Sequence, residues 1–350
     1  MTTNQLQPSV IFTMGPSTEK EDILTAILSE NVSYVRFNMS HASQDEHRAR
    51  LALVRAISKK LNKDIKVFAD LCGPKIRVTK IHGEKMRMSS GNTVRIVFDT
   101  EHVSEYSFTI SYSDLYLYVK TGTVVALDDG KILLSVLLIE NKNIICNVVR
   151  GGELINEKGV NIVDTDIPIN PFTEKDKSDA MFAIHENFDA IALSFVKKKD
   201  DVVYLQNFIK EHTDRTIPII AKIETRQALV EIGSILEVVS MIMVARGDLG
   251  IEIPIEKIPI TQKELVYVSN SRGIPAIVAT EILKSMTKNP FPTRAEITDC
   301  IDALVDGASF IMLSDETTTG EYPVEAVKVM TSVIKEFIDN QKKYIPFEKK

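Results

Sequence analysis

Lys222 and Glu224 close the apolar run Ile219-Ile220-Ala221, and Arg246 and Asp248 close the run Met241–Ala245, with Gly247 and Gly250 beside them. Two carboxylates and an ammonium delivered by neighbouring strand ends suit a Mg²⁺ that keeps several waters and meets phosphate oxygens. Glycines at a helix start let backbone amides approach an anion. Together these residues outline a phosphoryl-transfer site. The plainer reading is two ion pairs, in which Lys222 and Arg246 merely balance Glu224 and Asp248. Taken singly, each residue fits that reading as well.

Positioning them requires strands, and the chain supplies eight apolar runs: Val10–Met14, Tyr34–Phe37, Lys66–Ala69, Ala190–Leu193, Ile217–Ala221, Met241–Val244, Pro275–Ala279 and Ser309–Leu313. A parallel strand buried on both faces reads as continuous hydrophobicity. Amphipathic segments lie between the runs. Capping boxes at Thr18/Glu21, Ser43/Glu46, Thr261/Glu264 and Thr293/Glu296 are expected to open four of them. Gly307 is a natural stop for the last. Eight such repeats predict an α/β fold, a (β/α)8 TIM barrel, over an open doubly wound sheet. The polar residues that end the runs then share one face: Arg36, Asn38, Ser40 and His41; Asp70, Gly73, Lys75 and Arg77; Ser194; Lys222 and Glu224; Arg246 and Asp248; Thr280 and Glu281; and Ser314, Asp315 and Glu316. Barrel active sites are built on that C-terminal face. Alone, His41 would be a capping or packed histidine, and Lys197-Lys198-Lys199-Asp200-Asp201 reads as a solvated helix start.

One interval breaks the βα rhythm. Thr93–Phe98, Tyr106–Ile110, Val124–Leu127, Ile132–Ile139 and Ile144–Val149 read as short strands, with turns at Ser90-Gly91-Asn92 and Asp128-Asp129-Gly130. This predicts a β-rich lid domain at 79–154, inserted after the third barrel strand. It divides the barrel into 1–78 and 155–350. Hinges at 74–79 and 151–159 would let the lid close over the mouth.

The charge balance, 42 Lys and Arg against 48 Asp and Glu, gives a net charge of −6 and argues against nucleic acid as a partner. No apolar run approaches a membrane span. The N-terminal residues have no signal-peptide core. Cys72, Cys146 and Cys300 lie far apart with no Cys-x-x-Cys, so neither a disulfide framework nor a zinc knuckle is expected. A cytoplasmic protein is the expectation.

The ordered segments FTMGPST (12–18), VRFNMSHAS (35–43), ADLCGPKIRV (69–78), LDDG (127–130), EKGVNI (157–162), LSFVKK (193–198), AKIET (221–225), IMVARGDLGIEIP (242–254), MTKNPFPTRAE (286–296) and DGASFIMLSDETTTGEYPVEA (306–326) resemble pyruvate kinase along nearly the whole chain. The resemblance implies a glycolytic kinase that transfers the phosphoryl group of phosphoenolpyruvate to ADP, giving pyruvate and ATP. It implies that Glu224 and Asp248 hold Mg²⁺ or Mn²⁺. Lys222, a charge expected to stand unpaired when the site is empty, would neutralise the moving phosphoryl group and the enolate. Arg36 would grip the phosphate, the backbone from Ala245 through Gly247 and Asp248 the carboxylate, and Thr280 would assist protonation of the enolate carbon. Asn38, His41, Arg77 and Lys158 fall at nucleotide positions. Asn38, Ser40, Asp70 and Leu71 fall at the corner where the family holds K⁺.

The departures bear on function. Lys75 replaces an acid and Leu71 a threonine at that corner, so the Lys75 ammonium is expected to stand in for K⁺, which would not be required. Asp315 replaces a glycine and Glu281 a glutamine. These leave open a diverged enzyme for another enol or phosphoryl acceptor, and a non-catalytic regulatory relative. The chain is expected to lack the family's C-terminal effector domain and to form a homo-oligomer through the barrel.

Overall fold

Each of the eight apolar runs is a strand: Ser9–Thr13, Val32–Asn38, Lys66–Asp70, Ala190–Leu193, Ile219–Ile223, Met241–Ala245, Ala276–Ala279 and Phe310–Leu313. The structure, a computed structural model, describes residues 7–344 other than 100, 102, 164 and 166, with side chains through 340. The strands pair in parallel in chain order, and the eighth closes on the first, with Ser9 opposite Phe310 and Phe12 opposite Leu313. This is a (β/α)8 barrel. Its interior is packed by Ile11, Phe68, Ala192, Ile220, Met243, Ile277, Ala279, Phe310 and Met312. Burial of each larger side chain contributes about 1.5–3 kcal/mol. That core gives the polar strand ends a rigid platform.

Helix starts test the capping boxes individually. Ser43 caps Gln44–Lys60 by accepting from the Glu46 amide, and Thr293 caps Arg294–Val305 in the same way through Glu296. Gly307 follows the second helix at φ 100°, as a C-terminal stop should. The other two boxes fail. Thr18 instead closes a 3-10 turn on the Gly15 carbonyl, leaving the helix Glu21–Ser29 to start behind Lys20 without a side-chain cap. Thr261 lies inside Ile258–Ser271, because Pro259 with its fixed φ starts that helix a turn earlier. A further box, with Asp in place of Glu, is Thr173/Asp176, which caps Glu174–His185.

A second compact unit comprises Pro74–Asn170 with Gly250–Ile255. Its seven strands close into a barrel in the order Asn143–Arg150, Thr93–Val97, Ser107–Ile110, Ile76–Ile81, Gly159–Ile162, Val124–Leu127 and Ile132–Glu140. Met86–Met88 pairs with Gly152–Leu154 beside them. The unit reaches beyond 79–154 because its end strands pair with each other, Ile76 with Val160 and Arg77 with Gly159. No local pattern announces pairing between such distant segments. At the Asp128-Asp129-Gly130 turn three successive residues take positive φ of 50°, 54° and 79°.

The two kinds of threonine and serine box separate in stability. Ser43→Ala should cost about 1 kcal/mol by removing a real cap. Thr261→Ala, which removes none, should change stability by less than about 0.5 kcal/mol. Urea unfolding of the two variants against the parent checks both.

Candidate active site

Lys222 sits at the centre of the barrel mouth and is 8% exposed. Its ammonium donates to Ser194 Oγ at 2.7 Å and lies 2.9 Å from Glu224 Oε1 and 3.3 Å from Asp70 Oδ1. The expectation of an unpaired lysine is therefore wrong. The third, fourth and fifth strand ends bring their polar residues within reach of one another, so the ammonium is tied even with no ligand. Ser194 passes the contact on by donating to the Leu71 carbonyl at 2.7 Å. Arg36, from the second strand, donates from Nε to Asp70 Oδ2 at 2.6 Å and from Nη1 to Thr13 Oγ1 at 3.2 Å.

Burial would raise the pKa of Asp70, but Lys222 and Arg36 outweigh it and hold the carboxyl below its ordinary value. Burial would likewise strip a proton from Lys222, yet Asp70 and Glu224 reverse that and raise it. Glu224 is the loser. Burial pushes it up to about 7, Asp248 adds to the rise, and Lys222 with the Phe195 amide offsets only part of it. The charges explain why. Three carboxylates, Asp70, Glu224 and Asp248, face two cations, Lys222 and Arg36, leaving one negative charge uncompensated.

These residues fit a divalent cation. Asp70 Oδ1 and Glu224 Oε1 are buried and face only the Lys222 ammonium, at 3.3 Å and 2.9 Å, so two carboxylate oxygens share one cation. Among the described residues no three His, Cys, Asp or Glu side chains converge as a complete metal cage. A Mg²⁺ that keeps waters and draws further oxygens from a phosphate needs no such cage.

Local backbone aims the remaining groups. Phe195 adopts φ 54°, and its amide donates to Glu224 Oε2 at 2.8 Å. Thr280 and Glu281 follow the seventh strand at φ 71° and 54°. A left-handed conformation costs a non-glycine residue of order 1–3 kcal/mol, most for a β-branched one such as Thr280. It brings Thr280 Oγ1 within 2.8 Å of the Gly247 amide. Arg246 pairs with neither Glu224 nor Asp248. It bonds Asp299 at 2.7 Å and the Thr280 carbonyl at 2.9 Å. That disposes of the plain ion-pair reading for half of the motif. Asp248 stands half-buried in the first turn of Arg246–Glu252, and Ala245 ends the sixth strand, buried.

The other expected residues are placed less tightly. Asn38 Oδ1 accepts from the Ser40 amide at 3.2 Å, and exposed His41 offers its carbonyl to His47. Leu71 is buried, and its carbonyl is taken by Ser194. In the second unit, Arg77 donates to the Glu157 carbonyl at 2.8 Å and Lys158 pairs with Asp128 at 2.7 Å. Lys75 is exposed there. Thr13, Ser194 and Phe195 carry contacts that the sequence reading did not assign as site residues. Ser194 was placed on this face as the hydroxyl ending the fourth strand, without a role.

The family model "Pyruvate kinase, barrel domain" matches residues 6–327. A pyruvate kinase of Clostridium acetobutylicum is 40% identical over 339 residues, 97% of this chain and 72% of its own length. Those of Staphylococcus saprophyticus and Bacillus licheniformis are 38% and 39% identical over 326 residues, 93% of this chain. The chain spans only 56% of the length of these last two.

The Ser194 hydroxyl serves two buried partners at once, so its removal should be felt in the empty protein. Ser194→Ala should destabilise the fold by about 1–3 kcal/mol, through an unsatisfied Leu71 carbonyl and a lost partner for the ammonium. Denaturant unfolding without ligands measures it, and an unchanged midpoint would contradict the contact.

Proposed function

We propose, for a chain that belongs to the pyruvate kinase family, that the barrel mouth carries phosphoryl transfer from phosphoenolpyruvate to ADP, giving pyruvate and ATP. The observation that carries this reading is the ammonium of Lys222. It is fixed between Glu224 and Asp70 in a cluster left one positive charge short. Glu224 and Asp248 would hold a Mg²⁺. When bound, that ion offsets charge on phosphoryl oxygens as they move between donor and acceptor.

The chain's own residues supply the rest. Lys222 keeps its proton, so it presents a permanent positive charge to the phosphoryl group and to the enolate oxygen left behind. Arg36 has one nitrogen on Asp70 and one on Thr13, which fixes the guanidinium plane. Its Nη2 makes no hydrogen bond among the described residues and is left for a phosphate oxygen. The Asp248 amide, joined by that of Gly247 when it leaves the Thr280 hydroxyl, is the proposed grip on the substrate carboxylate. The Thr280 hydroxyl is the proposed guide for the proton that turns enolate into ketone. Asn38, His41, Arg77 and Lys158 are proposed to meet the phosphates of the nucleotide. Positioning and charge neutralisation of this kind are most of what phosphoryl transfer asks of a protein.

A coupled assay for pyruvate tests the reading. Purified protein with Mg²⁺ should convert phosphoenolpyruvate when ADP is added and not otherwise. Glu224→Gln keeps the volume but removes the charge, so it should raise the Mg²⁺ needed for half-activity about ten-fold or more. Absence of ADP-dependent pyruvate formation overturns the proposal.

The monovalent requirement is a separate expectation. Lys75 is an exposed ammonium where the family usually carries an acid, and it is proposed to supply the positive charge that a K⁺ would bring. Activity in tetramethylammonium buffer should match that in K⁺, and Lys75→Glu should make the enzyme depend on K⁺. Several-fold activation of the parent by K⁺ would refute this.

A further inference from the structure

Two adjacent residues at the end of the seventh strand, Thr280 and Glu281, hold left-handed backbone with no glycine between them. Nothing in their own side chains favours that conformation, so something must hold it. The Arg246 side chain does so from outside. Its Nη2 donates to the Thr280 carbonyl at 2.9 Å and approaches the Glu281 carbonyl at 3.5 Å. Its Nη1 is anchored 2.7 Å from Asp299 Oδ1, with Gln262 Oε1 at 3.3 Å. Arg246 is itself 12% exposed, while its partner Asp299 is 38% exposed at the edge of the pair. Asp299 belongs to the helix Arg294–Val305 and Gln262 to Ile258–Ser271, and Gln262 is in turn fixed by Asp306 at 3.0 Å. A guanidinium fork thus ties the strained turn to two helices of the outer ring.

The same turn aims the Thr280 hydroxyl at the Gly247 amide, 2.8 Å away. Arg246 and Gly247 are neighbours in one short helix. The side chain of one therefore grips the turn from the carbonyl side, while the amide of the other meets the hydroxyl. We propose that Arg246 and Asp299 are positioning residues that fix the Thr280 hydroxyl, and that their influence falls on the proton-transfer half of the reaction. The catalytic part rests on the function proposed above. In that half the enolate released by phosphoryl transfer takes one proton at its methylene carbon, from a water held by Thr280. The carbon becomes the methyl of pyruvate, and the hydroxide left by the water is neutralised by solvent. Neither Arg246 nor Asp299 touches substrate or exchanges a proton.

The experiment compares Asp299→Ala, Asp299→Asn and Arg246→Lys with the parent protein. The first readout needs no substrate. Hydrogen exchange of the Gly247 amide, followed by nuclear magnetic resonance, should quicken about ten-fold or more in Asp299→Ala as the turn loosens. Asp299→Asn keeps an acceptor and should stay nearer the parent. The second readout is deuterium entry into the methyl group of pyruvate with Mg²⁺ and ATP in D₂O. It should fall about ten- to a hundred-fold in Asp299→Ala, while KM for phosphoenolpyruvate moves less than about two-fold. Arg246→Lys should lie between, since one ammonium cannot fork to both carbonyls and Asp299. Thermal unfolding of all three shows that they are folded. Parent-like amide exchange in Asp299→Ala overturns the clamp itself. Loosened exchange with unaltered methyl deuteration overturns the catalytic assignment. A parent protein that makes no pyruvate, alongside a loosened amide, overturns the proposed function and the catalytic half but leaves the clamp supported.

Discussion

The constraint on which the mouth depends is the burial of Lys222 beside two carboxylates that are each about 1% exposed. Removing three charges from water costs several kilocalories per mole each, and mutual attraction repays it only when the remaining hydrogen-bonding capacity is met. Much of the nearby structure meets that demand. Arg36 takes one oxygen of Asp70, the Phe195 amide takes one oxygen of Glu224, and Ser194 takes the hydrogen bond of the ammonium. Two oxygens remain, Asp70 Oδ1 and Glu224 Oε1. Both depend on the one Lys222 ammonium, which they share with Ser194. The cluster thus holds three carboxylates, with Asp248, against the two cations Lys222 and Arg36.

Backbone strain is spent in the same places. Phe195, Thr280 and Glu281 take left-handed conformations directly after strands four and seven. Such conformations persist where surrounding packing over-determines them. Gly73, itself at φ 68°, lies so close to Phe195 that an added Cβ would sit 2.8 Å from its ring. The loop after the third strand and the loop after the fourth are thus fitted to each other, and the fit turns the Phe195 amide toward Glu224. A barrel core of close-packed strands can hold such loops because it is already rigid.

The sequence made the barrel legible because continuous apolar runs and their polar ends are local patterns. All eight strands lie within two or three residues of the runs that announce them. Lys222, Glu224, Arg36 and Thr280 were legible for the same reason, as polar residues closing buried strands. What was not legible depends on three-dimensional neighbours. The ties of Lys222 to Asp70 and Ser194 join residues 152 and 28 apart, and the Arg246–Asp299 pair spans 53. Capping boxes erred where a competing local device won: the Thr18 turn in one case, Pro259 in the other. Positive φ at Thr280 could not be read at all, since a β-branched residue argues against it.

Asp315 and Glu281, the two departures that raised a diverged enzyme as a rival, both lie away from Lys222. Asp315 opens the helix Asp315–Thr318, where an acid is favoured by the exposed amides of the first turn, and it pairs with Lys284 at the surface. Its charge is therefore answered locally. The neighbouring Glu316 is the buried one, and both its oxygens are used, by the Leu283 and Ser314 amides. At Glu281 the structure relies on the backbone carbonyl, while the side chain is exposed. Neither substitution alters the net charge or the partners of Lys222, Glu224, Asp70 and Arg36. Both departures therefore lie outside the contacts that tie Lys222, Glu224, Asp70 and Arg36 together.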